Sequence, residues 1–201
     1  MHEEHNRILS DHLSDLLFCS SDVSVKNLES EGVVNNVVDL MLDSFIFYNK
    51  SLDEKTLSFS FFNEKKSSDF EERGFYLLTM HRAENNSEKS TMVNILNNLS
   101  KLESLIVFPI HPRAHKLIKH FEINVPDNFI LIEPVGYFEM LYFLKRCKAV
   151  ITDSGGLQKE AYYAKKLCYT LRDQTEWVET LNGNWNTLCN PNEAFFPLFF
   201  K

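Results

Sequence analysis

The residues best suited to chemistry in this sequence gather at Thr152-Asp153-Ser154-Gly155-Gly156, which follows a short apolar run and opens a predicted helix. With no side chains at the glycines, an anion can approach backbone N–H groups and the positive end of the helix dipole. Ser154 adds a hydroxyl donor. The same residues also read as an ordinary N-cap with a tight turn, since Ser and Asp cap helices in any case. Glu160 falls one turn further on, on the face of Gly156. A carboxylate there can accept two hydrogen bonds from a ribose diol, although on spacing alone a solvated helix-face glutamate is the commoner identity. His81-Arg82 sets a titratable group beside a fixed positive charge. An imidazole near a diphosphate leaving group can donate a hydrogen bond or a proton as the bond breaks; a lone histidine is also commonly structural. His111, Arg113, His115 and Lys116 form a local basic cluster or a solvated helix start. Glu3 and Glu4 open an amphipathic segment and suit the N-terminus of a helix.

These groups need elements to hold them. Five short apolar runs occur after residue 74: Phe75–Met80, Leu105–Pro109, Phe129–Ile132, Ala149–Thr152 and Leu167–Leu171. Helical stretches at 88–103, 112–122, 138–147 and 156–166 separate most of them. Strand and helix in alternation predict an α/β, doubly wound parallel sheet. Ligands of such sheets bind at the carboxyl ends of the strands. Here those ends carry His81-Arg82, His111-Pro112-Arg113, Pro134-Val135-Gly136, Asp153-Ser154-Gly155-Gly156 and Arg172-Asp173-Gln174, so a ligand crevice is the better reading. The first third reads as helices without strands, at 3–18, from Ser21 or Asp22 to Gly32, and at 36–49. Ile8, Leu9, Leu13, Leu16 and Leu17 predict one buried stripe on the first. Residues 51–73 are polar and poorly patterned and read as a linker.

Composition sets bounds. The 201 residues leave room for one domain of about 100–150 residues and something extra. A net charge of −7 gives no basic field for nucleic acid, so an anionic ligand must be held by local groups. No apolar run approaches the roughly 18–20 residues of a membrane span, and the charged start has no signal core. Cys19, Cys147, Cys168 and Cys189 form no C-x-x-C pair, which suits buried free thiols and a cytoplasmic address.

The segments Leu77–Asn85, Phe108–Arg113, Thr152–Ala161 and Leu171–Thr180, in this order and spacing, resemble the non-hydrolysing UDP-N-acetylglucosamine 2-epimerases over about residues 3–190. Glu3-Glu4-His5-Asn6-Arg7 is similar to a helix of that family. The resemblance implies the C-terminal half of a glycosyltransferase-B-type fold: a helical remnant at 1–50, a linker at 51–73, a UDP-binding Rossmann-like domain at 74–190 and a tail at 191–201. It also implies that UDP is eliminated from UDP-GlcNAc and added back to give UDP-ManNAc, with no metal, nicotinamide or other cofactor. By position, Glu4 and His81 would be catalytic. His81, Val135, Met140, Ser154, Gly155, Gly156, Glu160 and Arg172 would bind substrate, with Ser154, Gly155 and Gly156 on the diphosphate, Glu160 on the ribose and Val135–Met140 framing the uracil. Arg82 and His111 would belong to a second, regulatory site. UDP-GlcNAc or UDP is the implied partner, with no nucleic acid and no membrane, and with either a homodimer or a missing N-terminal half.

The family's N-terminal half, with its Gly-Thr-Arg-Pro-Glu loop and two further acidic catalytic residues, has no counterpart here. Trp177 stands where many bacterial members have Arg, and Val135 and Met140 where many have Gln and an aromatic. The expected outcome is an epimerase chain inactive alone. A non-catalytic UDP-sugar-binding module or the partner subunit of a split enzyme is the alternative, and a glycosyltransferase of the same architecture a third. A diacetamido-uronic acid sugar and a hydrolysing outcome remain open. The phenylalanine-rich end, Phe195–Phe200, would need a partner to cover it.

Overall fold

A parallel strand covered on both faces can be apolar along its whole length, and that is how the second half of this sequence reads. The computed structural model describes residues 2–32, 36–37, 39–53, 57–62, 70–86 and 88–195. They fall into two units, residues 1–50 and 51–201.

The first unit holds α1 (His2–Leu13), β1 (Phe18–Cys19), α2 (Asp22–Ser30), β2 (Asn36–Val37) and all but the end of α3 (Leu40–Ser51). β1 and β2 pair in parallel, which corrects the expectation of helices without strands; two-residue strands are too short to show a period. α1 stops at Leu13 rather than residue 18, and beyond it the Ser14 hydroxyl donates to the Ser10 carbonyl at 2.7 Å. Leu9, Leu13 and Leu16 are exposed rather than buried, because a unit of about fifty residues cannot cover all its apolar side chains. Ser21 caps α2 as expected, its hydroxyl accepting the Ser24 N–H at 3.2 Å. Arg7 ties α1 to the end of α2 through Glu31 at 2.8 Å and pairs with Asp11 at 2.6 Å.

The second unit runs α4 (Phe70–Arg73), β3 (Phe75–Thr79), α5 (Ala83–Asn86), α6 (Lys89–Leu99), β4 (Leu105–Pro109), α7 (Pro112–His120), β5 (Phe129–Ile132), α8 (Tyr137–Arg146), β6 (Ala149–Thr152), α9 (Gly155–Tyr163), β7 (Leu167–Thr170), a 3-10 stretch (Val178–Asn184) and β8 (Asn186–Leu188). The six strands form one sheet in the order β5-β4-β3-β6-β7-β8, parallel throughout. The predicted α/β parallel sheet is therefore the fold. Its sixth strand, β8, was not legible: Asn186-Thr187-Leu188 is short and two of its three residues are polar, as an edge strand tolerates.

Residues 57–62, expected as linker, lie against the opposite edge. Phe61 bridges Ile132 antiparallel, Phe62 N–H donates to the Leu131 carbonyl at 3.0 Å and Glu133 N–H to that of Ser60 at 2.9 Å. Phe59 and Phe70 pack by their rings against Phe143, and Phe70 against Phe75. Polar neighbours hid these aromatics in the sequence; residues 54–56 and 63–69 lie outside the described residues.

The expected tail is likewise held as far as residue 195. Asn94 and Asn98 of α6 donate to the carbonyls of Pro191 and Glu193, and the Phe195 N–H donates to Asn98 Oδ1 at 3.0 Å. Phe195 is buried; residues 196–201 lie outside the described residues. All four cysteines are free and buried. Burial pushes the thiols of Cys147, Cys168 and Cys189 up to about 12.

Candidate functional site

Numbered within the sheet, the strands follow the 3-2-1-4-5-6 order of doubly wound nucleotide-binding folds, whose crevice opens where the winding reverses. Here the reversal lies between β3 and β6, so the loop carrying His81-Arg82 and the turn carrying Asp153–Gly156 leave the sheet side by side. Thr79 and Thr152 end the two strands in register, their hydroxyls 2.7 Å apart. The Thr152 hydroxyl also accepts the Ser154 N–H at 2.9 Å.

Asp153 locks the two loops together. It is fully buried and accepts the backbone N–H groups of His81 (2.9 Å) and Arg82 (3.1 Å) and the Asn85 side-chain amide (3.0 Å). Its own carbonyl accepts Arg82 Nε at 3.1 Å. The same Asn85 amide reaches the Leu171 carbonyl at 3.2 Å, which draws in the end of β7. A buried carboxylate is tolerated only when its oxygens are satisfied, and three donors do so here. Neither Asp153 nor Asn85 was singled out from the sequence beyond its place in a motif. The available signal was an acidic residue directly after the apolar run Ala149–Ile151 and its closing Thr152.

His81 sits at the rim. Burial lowers its imidazole pKa below the usual value, Asp153 opposing the shift and His111 adding to it. The two imidazoles meet edge to face, 5.6 Å between centroids. His111 also caps α7, its Nδ1 accepting the Arg113 N–H at 3.2 Å. Of the basic cluster, His111 thus faces the crevice through His81, while the His115 ring packs on Phe62 at 4.6 Å.

Ser154 is the N-cap of α9, its hydroxyl accepting the Leu157 N–H at 3.4 Å. The capping reading and the anion reading are compatible, because the N–H groups of Gly155 and Gly156 have no partner within the helix. A Cβ on Gly155 would stand 2.8 Å from Trp177 Nε1 and 2.9 Å from Glu176 Oε1. Glycine is required there by close approach. A Cβ on Gly156 would meet only Ser154 Oγ, at 3.8 Å, so Gly156 faces open space.

Glu160, one turn into α9, takes a hydrogen bond from Tyr137 at the start of α8. Burial raises its carboxyl pKa, and the Tyr137 bond opposes the rise. This links Glu160 to the Val135–Met140 turn, in which Val135 and Met140 are half-buried and the Met140 N–H bonds the Gly136 carbonyl at 3.0 Å. Arg172 follows β7, pairs with Glu176 at 2.8 Å and lines a cavity with Asp173, Leu188, Asn190, Glu193 and Phe195. None of the Ser154 turn lines that cavity. Glu4 lies on α1 in the other unit, and its side chain falls outside the described residues. Among the described residues, no group of three or more His, Cys, Asp or Glu is arranged to hold a metal ion, and no helix is long and apolar enough to cross a membrane.

The family described as UDP-N-acetylglucosamine 2-epimerase matches residues 1–195. A UDP-N-acetylglucosamine 2-epimerase homolog of Methanococcus maripaludis is 41% identical over 200 residues, covering 96% of this chain and 55% of that protein. The UDP-2,3-diacetamido-2,3-dideoxy-D-glucuronate 2-epimerase of Pseudomonas aeruginosa is 38% identical over 197 residues, covering 94% and 52%. A crystal structure of Methanocaldococcus jannaschii UDP-GlcNAc 2-epimerase in complex with UDP-GlcNAc and UDP is similar over 100% of this chain and 57% of that one, with TM-score 0.81 and 34% identity. The chain spans about half the length of the curated relatives it matches.

Proposed function

The chain belongs to the UDP-N-acetylglucosamine 2-epimerase family, and from that premise we propose that its second unit is the nucleotide-holding part of an enzyme interconverting UDP-GlcNAc and UDP-ManNAc. The observation that carries the reading is the glycine turn opening α9 at the β3/β6 reversal, locked by Asp153 to the His81-Arg82 loop.

In this reading the Gly155 and Gly156 N–H groups, the Ser154 hydroxyl and the α9 dipole hold the diphosphate. His81 donates a hydrogen bond to the departing phosphate oxygen, and Glu160 accepts the ribose hydroxyls. The Val135–Met140 turn frames the uracil, and Arg172 closes the β7 side. The UDP-binding domain is residues 74–190. A base removes the C2 proton, the electron pair forms the C1–C2 double bond of a glycal, and the C1–O bond breaks to release UDP. Return of a proton to the opposite face of C2 and attack of the β-phosphate oxygen on C1 complete the inversion. Glu4 is a catalytic carboxylate of the first unit, and Arg82 with His111 belongs to a regulatory nucleotide-sugar site. The address is cytoplasmic, and the assembly is a homodimer or a complex with a chain supplying the remaining half.

A second reading is a UDP-sugar-binding module or subunit that does not turn over alone. Calorimetric titration with UDP tests the shared core of both. Saturable binding that is lost in Ser154→Ala and Glu160→Ala supports the site, and absence of binding by the parent chain refutes it. Formation of UDP-ManNAc, with or without an added partner chain, separates the two.

A further inference from the structure

One buried cation in the second unit is not among the groups assigned to the nucleotide. Lys159, on α9, is 1% exposed. Its ammonium lies 3.1 Å from Glu179 Oε1, 4.5 Å from the centre of the Trp177 ring and 5.6 Å from that of Tyr163. Burying an ammonium is unfavourable unless a counter-charge and polarisable faces replace its water. Here one carboxylate and two aromatic rings do so. Lys159 is the partner of the Glu179 carboxylate among the described residues.

What the arrangement achieves is visible at the other edge of the indole. Trp177 Nε1 is buried without a hydrogen-bond partner and stands 2.8 Å from where a Cβ of Gly155 would be. The indole is therefore pressed against the first residue of the glycine turn, at the expense of an unsatisfied donor. A second set of contacts fixes the same segment through the residue beside Lys159. Gln158 accepts from the Thr175 hydroxyl (3.0 Å) and donates to that of Thr180 (2.7 Å), and the Thr180 hydroxyl donates to the Trp177 carbonyl (2.7 Å). Gln158 and Thr180 are fully buried. Two consecutive residues of α9 thus fasten the 175–180 segment, one by neutral hydrogen bonds and one by charge, and that segment forms the wall of the turn.

We propose that Lys159 is a positioning residue: paired with Glu179, it holds the Trp177 indole against Gly155 and so keeps the α9 N-terminus ordered to receive a nucleoside diphosphate. The proposal rests on the nucleotide-binding reading above and says what sets that site's affinity. It also accounts for a lysine and a tryptophan together at these positions, since the indole supplies the face on which the ammonium rests.

The test uses the full chain carrying Trp185→Phe, which leaves Trp177 as the only indole. Lys159→Met alone would strand the Glu179 charge and risk unfolding. The informative variant is therefore Lys159→Met/Glu179→Gln, which removes both charges at nearly constant volume. Acrylamide quenching of Trp177 fluorescence is read without ligand, UDP affinity by calorimetry, and the melting temperature alongside. Quenching should rise several-fold in the double variant, and UDP affinity should fall about tenfold, the loss expected when a binding turn must be ordered by its ligand. The melting temperature should move little. Unchanged quenching overturns the clamp. Raised quenching with UDP affinity within about twofold of the parent overturns the positioning role. Failure of the parent to bind UDP refutes the nucleotide-binding reading itself and leaves Lys159 nothing to position.

Discussion

Gly156 and Glu160 differ in what they cost the fold, and that difference can be measured. The space around Gly156 is open, so Gly156→Ala fits the free chain and should leave the melting temperature equal or slightly raised, since glycine in a helix is worse than alanine by about 0.5–1 kcal/mol. If a diphosphate occupies that space, the same methyl group should weaken UDP binding about tenfold or more. Calorimetry beside thermal unfolding separates the two effects. Glu160 is the converse case. Burial raises its carboxyl pKa, so the folded state favours the protonated form. Its stabilising contribution is complete below the unfolded pKa and lost as pH rises through the folded value. Glu160→Gln should therefore raise the melting temperature at about pH 7, have little effect near about pH 4, and weaken UDP binding at neutral pH. A variant that is more stable yet binds less tightly marks a residue kept for its ligand.

Elements carry the next level. The Ser154 cap, the α9 start and the strand alternation were legible because each has a local signature: a hydroxyl residue before a helix, paired glycines, continuous apolar runs. Asp153 was not legible as a lock, because its partners His81, Arg82 and Asn85 come from the loop after β3 and from α5, far away in sequence. Nothing local distinguishes a carboxylate that accepts three donors from one that caps a turn. β8 and the 57–62 segment were missed for a related reason: edges of a sheet are recognised by what they pair with. α6 shows how such a contact can be probed. Asn98 is nearly buried and joins α6 to Glu193 and Phe195 by its amide. Asn98→Ala leaves the buried Phe195 N–H without its acceptor and should cost about 1–3 kcal/mol, read as a lowered midpoint in urea with UDP affinity unchanged.

For the whole molecule, family membership and the described geometry support different parts of the account. In the proposed reading the groups that hold the nucleotide all belong to the second unit, so binding is expected of this chain by itself. Catalysis in that reading draws on Glu4 of the first unit and on acidic groups beyond those of the 201 residues. Mixing the chain with UDP-GlcNAc should accordingly give binding without sustained UDP-ManNAc formation, checked by chromatographic separation of the two nucleotide sugars. Three buried thiols with pKa pushed up to about 12 stay protonated under those conditions, so alkylation of Cys147, Cys168 and Cys189 should be slow until the second unit unfolds. The family resemblance was legible because four motifs keep their order and spacing. The exposure of Leu9, Leu13 and Leu16 was not, because helical periodicity states which residues share a face and not whether anything covers it.

The most direct measurement of the central claim is an amide-resolved NMR titration of the chain with UDP. The account predicts saturable shifts at Gly155 and Gly156, with uridine, which lacks the diphosphate, moving them far less. UDP binding that saturates while both glycine amides stay in place would contradict it.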